Sequence, residues 1–62
     1  MDRKEKILKH LRYHGGMTAR VLRDMYFFGD NLEEIVKELD ELARKKILRT
    51  EEYNKGIRTY YP

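Results

Sequence analysis

The stretch 30-DNLEEIVKELDELARKKI-47, followed at once by 48-LRTEEY-53, decides the fold. Leu32, Ile35, Val36, Leu39, Leu42 and Ala43 recur at spacings of three and four, which places them in one stripe along a helix of about four turns. Asp30 and Asn31 can each cap its start, since a glutamate, Glu33 or Glu34, follows three residues later as in a capping box. At the other end Arg44, Lys45 and Lys46 bring positive charge to the negative pole of the helix dipole. Those three cations are at home there without any ligand.

Working outward, 62 residues make a single domain over 1–62. A core of that size buries about 60% of the unfolded surface and supplies about 3–5 kcal/mol, which leaves little room for a large enclosed active site. The chain has no cysteine, so a disulfide framework and a thiolate nucleophile are excluded and a reducing cytoplasm suits it. No apolar run approaches a membrane span, and MDRKEKILKHLR lacks the apolar core of a signal peptide. The expectation is a soluble, cytoplasmic chain. Charged residues make up 40% of the sequence while glutamine, serine, cysteine and tryptophan are absent, a bias toward ionic and away from labile residues that hyperthermophiles share.

The net charge of +3 conceals an ordered distribution. Residues 1–23 sum to +5, residues 24–42 to −6 and residues 43–62 to +4. A polyanion would meet the two basic ends more readily than the acidic middle.

In chain order, Asp2 with Glu5 starts a first helix whose inner stripe is Ile7, Leu8 and Leu11, with His14 or Met1 extending it. Gly15 and Gly16 stop that helix, and Met17 is left for a very short extended segment. Thr18 caps TARVLRDMYFF, where Val21 or Leu22 and Met25 face inward, and Gly29 breaks this second helix before the third. Beyond the third, LRTEEY and IRTYY flank the loop Asn54-Lys55-Gly56, whose glycine suits a left-handed hairpin position. That loop pairs Tyr53 with Ile57, Glu52 with Arg58, Glu51 with Thr59 and Thr50 with Tyr60. Alternation then puts Leu48, Thr50 and Tyr60 on the core face and Tyr53, Ile57 and Tyr61 on the other. The expected core is Ile7, Leu8, Leu11, Leu22, Met25, Ile35, Leu39, Leu42 and Leu48, with one or two of Tyr26, Phe27 and Phe28.

The order helix, short strand, helix, helix, hairpin, carried by T18-A-R-V-L22, L39-x-x-L42-A-R-K-K-I47-L48 and G56-I-R-T-Y60-Y61, resembles the winged-helix family over nearly the whole chain. The resemblance implies an α+β fold of three helices with a C-terminal β-hairpin wing and a very short first strand. Winged helices serve as transcription regulators, ribosomal proteins and docking modules, so the fold alone does not choose among these roles. Two departures stand out. The turn between helices two and three is about two residues longer than in the compact regulators of the family, and Lys46 occupies the position before Ile47 where many members carry glycine.

In DNA-binding members the third helix enters the major groove. Here its exposed half offers Asp30, Glu33, Glu34, Lys37, Glu38 and Glu41, and carboxylates near a phosphate backbone subtract from affinity. This directs a nucleic-acid mode to the wing and its surroundings: Arg49, Lys55 and Arg58 interleaved with Tyr53, Tyr60 and Tyr61, extended by Arg20 and Arg23. Ordinary solubilising charge explains the same residues. The alternative is protein docking through Glu34 and Glu38 and an exposed member of the run Tyr26, Phe27, Phe28, since three neighbouring helical residues cannot all point into one core.

His10 and His14 stand one helical turn apart, but HLRYH lacks the glutamate that zinc proteases use as base; the plainer reading packs His14 near the core and leaves His10 wet. No nucleophile elbow or phosphate-binding glycine loop occurs. The expectation is therefore a non-enzymatic binding protein with no cofactor, metal, small-molecule substrate or membrane. Double-stranded DNA is its foremost partner, in a regulatory role within a thermophilic prokaryote, an archaeon or one of its viruses. Protein docking, including a second copy of the chain, is the alternative, and an RNA or ribosome-associated role a further one.

Overall fold

Side-chain caps set the helix starts in the computed structural model, which describes residues 2–54 and 56–62. Asp2 Oδ1 accepts from the Glu5 amide at 3.0 Å and opens α1 (Arg3–His14). Thr18 Oγ1 accepts from the Val21 amide at 3.3 Å and opens α2 (Ala19–Tyr26), although Thr18 also closes the two-residue strand β1 (Met17–Thr18). Of the two candidate caps for α3 (Leu32–Arg44), Asn31 serves, taking the Glu33 and Glu34 amides at 2.8 and 3.3 Å. The hairpin strands are β2 (Arg49–Tyr53) and β3 (Ile57–Tyr61).

The α3 helix contains the whole apolar stripe and ends at Arg44, so that Lys45 is its C-cap and Lys46 lies beyond it. Lys46 takes a left-handed backbone, φ 63°, and the Ile47 and Leu48 amides turn back to the Leu42 carbonyl at 3.0 and 3.3 Å. A non-glycine residue there carries strain that glycine would not. Lys46, which the resemblance sets against a glycine of many winged helices, adopts the conformation that glycine would supply.

The three strands form one antiparallel sheet in the order β1-β3-β2, with β3 in the centre. Its hairpin register is the one that the three-residue loop and alternation require: Tyr53 opposite Ile57, Glu52 opposite Arg58, Glu51 opposite Thr59, Thr50 opposite Tyr60 and Arg49 opposite Tyr61. On the far side of β3, Met17 pairs with Tyr60 and Thr18 with Thr59. Three helices and this sheet make an α+β fold in the winged-helix layout.

The core is Ile7, Leu11, Met17, Ala19, Leu22, Ile35, Leu39, Leu42, Leu48 and Tyr60, with Leu8, Tyr26, Phe27, Leu32, Val36 and Ala43 packed half-buried around it. Met25 is not part of it and stands 55% exposed. The short helix α2 takes its inward phase from Ala19, Leu22 and Tyr26, and a residue three after Leu22 falls to one side where a residue four after it does not. Val21 is exposed as well, so Leu22 is the inward member of that pair. Thr50 faces the core side yet is exposed, because β2 is an edge strand that overhangs the helices along its whole length. Met1 lies outside the described residues, and His14 is exposed and does not extend the α1 stripe. Gly16 fills a place no other residue could: a Cβ there would stand 2.5 Å from the Tyr61 ring, at a backbone φ of 150°.

Candidate nucleic-acid interface

With Ile35, Leu39 and Leu42 buried, the 3.6-residue period divides the polar residues of α3 into three rows. Glu34, Glu38 and Glu41 lie along the flank facing α1, and Asp30, ahead of the Asn31 cap, joins them through Arg3. Asp40, beside half-buried Val36, lies along the flank facing the hairpin. Between them Glu33, Lys37 and Arg44 form the outermost ridge, and all three are exposed.

Both flanks are tied down within the molecule. Arg3 at the start of α1 holds Glu38 through Nε at 2.8 Å and again through Nη2, reaches Asp30 at 3.2 Å and touches Glu34 at 3.5 Å. These bonds, that to Glu38 above all, raise the pKa of Arg3 from its ordinary value. One turn further along the same seam Lys4 donates to Glu41 at 2.7 Å; this bond raises the Lys4 pKa and lowers that of Glu41. On the other flank Asp40 Oδ1 accepts from the Tyr60 hydroxyl at 2.7 Å and from Arg58 at 3.2 Å, and Arg58 also reaches Glu52 at 3.4 Å. Burial, then Asp40, pushes the Tyr60 phenol up to about 12, so it stays a donor at any ordinary pH. The Arg58 pKa is raised by Glu52 foremost and then by Tyr60 and Asp40, although Asp40 makes the shorter contact.

The carboxylates of α3 are thus not spread over its solvent face. Most are committed to the α1 seam or to the hairpin. The ridge itself carries one carboxylate, Glu33, against Lys37 and Arg44, and none of these three has an ion-pair partner among the described residues. Sequence reasoning counted the acids of this helix without dividing them by face. The spacing of Asp30, Glu34 and Glu38 was the signal available, because residues four apart share a flank.

Beside the ridge an open groove of about 500 Å³ runs between the start of α2, α3 and the hairpin. Its lining includes the apolar side chains of Val36 and Ile57 and the charged ones of Arg20, Arg58 and Asp40. Among the cations expected to bind nucleic acid, the groove brings Arg20 and Arg58 together. Arg23 is engaged with its neighbour Asp24 at 2.7 Å. Arg49 sits on the opposite face of the sheet from Arg58, its guanidinium 5.9 Å from the centre of the Tyr61 ring. Lys55 lies outside the described residues.

The aromatic run divides, but not by helical spacing: α2 ends at Tyr26 rather than running through Phe28, and Phe27 is its C-cap. Tyr26 stacks on His10 with ring centroids 3.7 Å apart, and its hydroxyl bonds to His14 Nε2. Phe27 meets the same His10 edge-on at 5.9 Å. Phe28 is left 85% exposed. The histidines exchange the places expected of them: His10 is half-buried and His14 exposed, because the end of α2 packs over the α1 face that carries His10. Desolvation, followed by the charges of His14, Lys9 and Lys6, lowers the His10 pKa. Among the described residues no group of three or more His, Cys, Asp or Glu is placed to hold a metal ion, and no helix is long and apolar enough to cross a membrane.

Compared with known protein families, with curated proteins and with solved structures, the chain finds no match in any of the three.

Proposed function

We propose that this protein binds double-stranded nucleic acid, duplex DNA foremost, as a small winged-helix regulator that meets the phosphates with the α3 ridge and the groove beside it. The observation that carries this reading is the division of charge around α3. Its acids other than Glu33 are engaged by Arg3, Lys4 and Arg58, whereas Lys37 and Arg44 on the ridge and Arg20 across the groove have no ion-pair partner among the described residues. A duplex approaching that ridge meets a locally positive surface, and the negative excess stays in the seam with α1. Within this reading the lead passes from the wing to the ridge, because Arg49 faces the other side of the sheet and Arg58 is clasped. The role is binding and not catalysis.

Protein docking draws less support. Glu34 and Glu38 hold Arg3, and Tyr26 and Phe27 pack against His10, which leaves Phe28 alone of the five residues that reading used.

The test is affinity for a short random duplex across a salt series. The parent should bind at low salt with log K falling linearly against log salt, and Arg20→Ala with Lys37→Ala should flatten the slope by about 0.9 for each phosphate no longer neutralised. No binding at low salt, or a slope that the double variant leaves unchanged, overturns the proposal.

A further inference from the structure

Arg58 is the groove cation that the structure does not leave free. It lies on the helix-facing side of the hairpin, between Asp40 at 3.2 Å and Glu52 at 3.4 Å, and all three side chains remain partly open to solvent. The same Asp40 oxygen also takes the hydroxyl of Tyr60, a core residue at the centre of the sheet, at 2.7 Å. Asp40 is fixed on α3 and Tyr60 on β3, so the carboxylate occupies a determined place and brings Arg58 with it. A guanidinium flanked by two carboxylates presents no net positive charge to an approaching phosphate.

We infer that Asp40 is a positioning residue that withholds Arg58 from phosphate and thereby holds down the protein's sequence-independent affinity for duplex DNA. The inference rests on the proposed DNA-binding role. In the parent, Arg58 contributes little to binding. When the clasp is discharged, the guanidinium turns outward and neutralises one further phosphate, with release of the counterion it displaces. Asp40→Asn suits this test, because the amide oxygen still accepts the Tyr60 hydroxyl while the charge is removed.

Duplex affinity is measured across a salt series for the parent, D40N, R58A and D40N with R58A, alongside their melting curves. D40N should bind more tightly at low salt and steepen the salt slope by about 0.9, so its advantage shrinks about threefold between about 50 and 200 mM salt. R58A alone bares Asp40 and Glu52 and should weaken binding modestly, and in its background D40N should relieve repulsion without steepening the salt slope. E52Q loosens the same guanidinium without touching the Tyr60 bond and should shift affinity in the same direction, which decides the matter if D40N unfolds. A salt slope that D40N steepens as much in the R58A background as in the parent would mean that Arg58 is not the cation released, and overturns the inference. So does a D40N or E52Q variant that melts like the parent and binds like it. A parent without salt-dependent binding overturns the DNA-binding proposal itself, whereas a binding parent with an inert D40N overturns the role of Asp40 alone.

Discussion

Replacing Arg3 with methionine keeps most of the aliphatic stem that packs along α1 while removing the one cation shared by Asp30, Glu34 and Glu38. The contribution of each pairing follows from its exposure. Glu38 is the most sheltered, with its side chain 18% exposed, so its pairing weighs more than those to Asp30 at 42% and Glu34 at 65%. Exposed pairs are worth about 0.2–1 kcal/mol after screening, which puts the Glu38 pair near the top of that range and the other two at its floor. The sum is about 1.4 kcal/mol, and in a domain of this size each kcal/mol moves the melting midpoint by about 4–8 °C. Arg3→Met should therefore melt about 6–11 °C below the parent at low salt. At about 1 M salt, where the Debye length is about 3 Å, most of that difference should disappear. Thermal melts followed by circular dichroism at the two salt concentrations measure both. A low-salt fall under about 3 °C, or a fall that high salt leaves untouched, would refute the assignment of Arg3 as counterion to this flank.

Leu39→Ala empties a fully buried site and should cost about 2–5 kcal/mol, comparable to the whole stability, leaving the chain largely unfolded in a denaturant titration extrapolated to water. Gly16→Ala forces a Cβ against the Tyr61 ring and an unfavourable backbone at once, so it should lose about 1–3 kcal/mol, and a second change, Tyr61→Ala, should recover part of that loss by removing the clash. His10 has a folded-state pKa below its unfolded value, so the unfolded chain binds the extra proton and stability falls as pH drops through the range below the ordinary histidine pKa. Glu41, lowered by Lys4, withdraws its own contribution further down, as pH falls through the carboxylate range. His10→Phe keeps a ring against Tyr26 and should flatten the upper of these two slopes in a series of melts, leaving the lower one. An unchanged upper slope would assign it to another group.

The parts of this fold that were legible in the sequence are those fixed by short-range geometry. The hairpin register followed from a three-residue loop and strict alternation, and α3's buried face from a stripe long enough to define its own phase. Where few residues set the phase, the reading failed. In α2 the pair Leu22 and Met25 looked as good as Leu22 and Tyr26, and only the packing of Tyr26 against His10 chose between them. Met17 entered the core because β1 pairs with β3, a contact that no local pattern announces. The candidate site was less legible still. That α3 is acidic is plain from composition, but which acids face α1 and which face the hairpin depends on how the elements pack. The partners Arg3, Lys4 and Arg58 come from remote parts of the chain.

The central place of β3 has a consequence for how the chain is made. Synthesis delivers the helices and β1 first and β3 afterwards, yet β1 and β2 are joined only through β3. A nascent chain ending before Ile57 holds all three helices but lacks Tyr60, the sheet residue that covers their common core, and offers Met17 no strand to pair with. Helices this short gain most of their stability from the packing they join, so such a chain should hold only fluctuating helical structure. Pairing across the span from Met17 to Tyr60 closes a large loop, and that closure is where folding should be slowest and most cooperative. The wing, which is the local part of the sheet, is then also the last piece whose arrival lets the rest of the molecule settle.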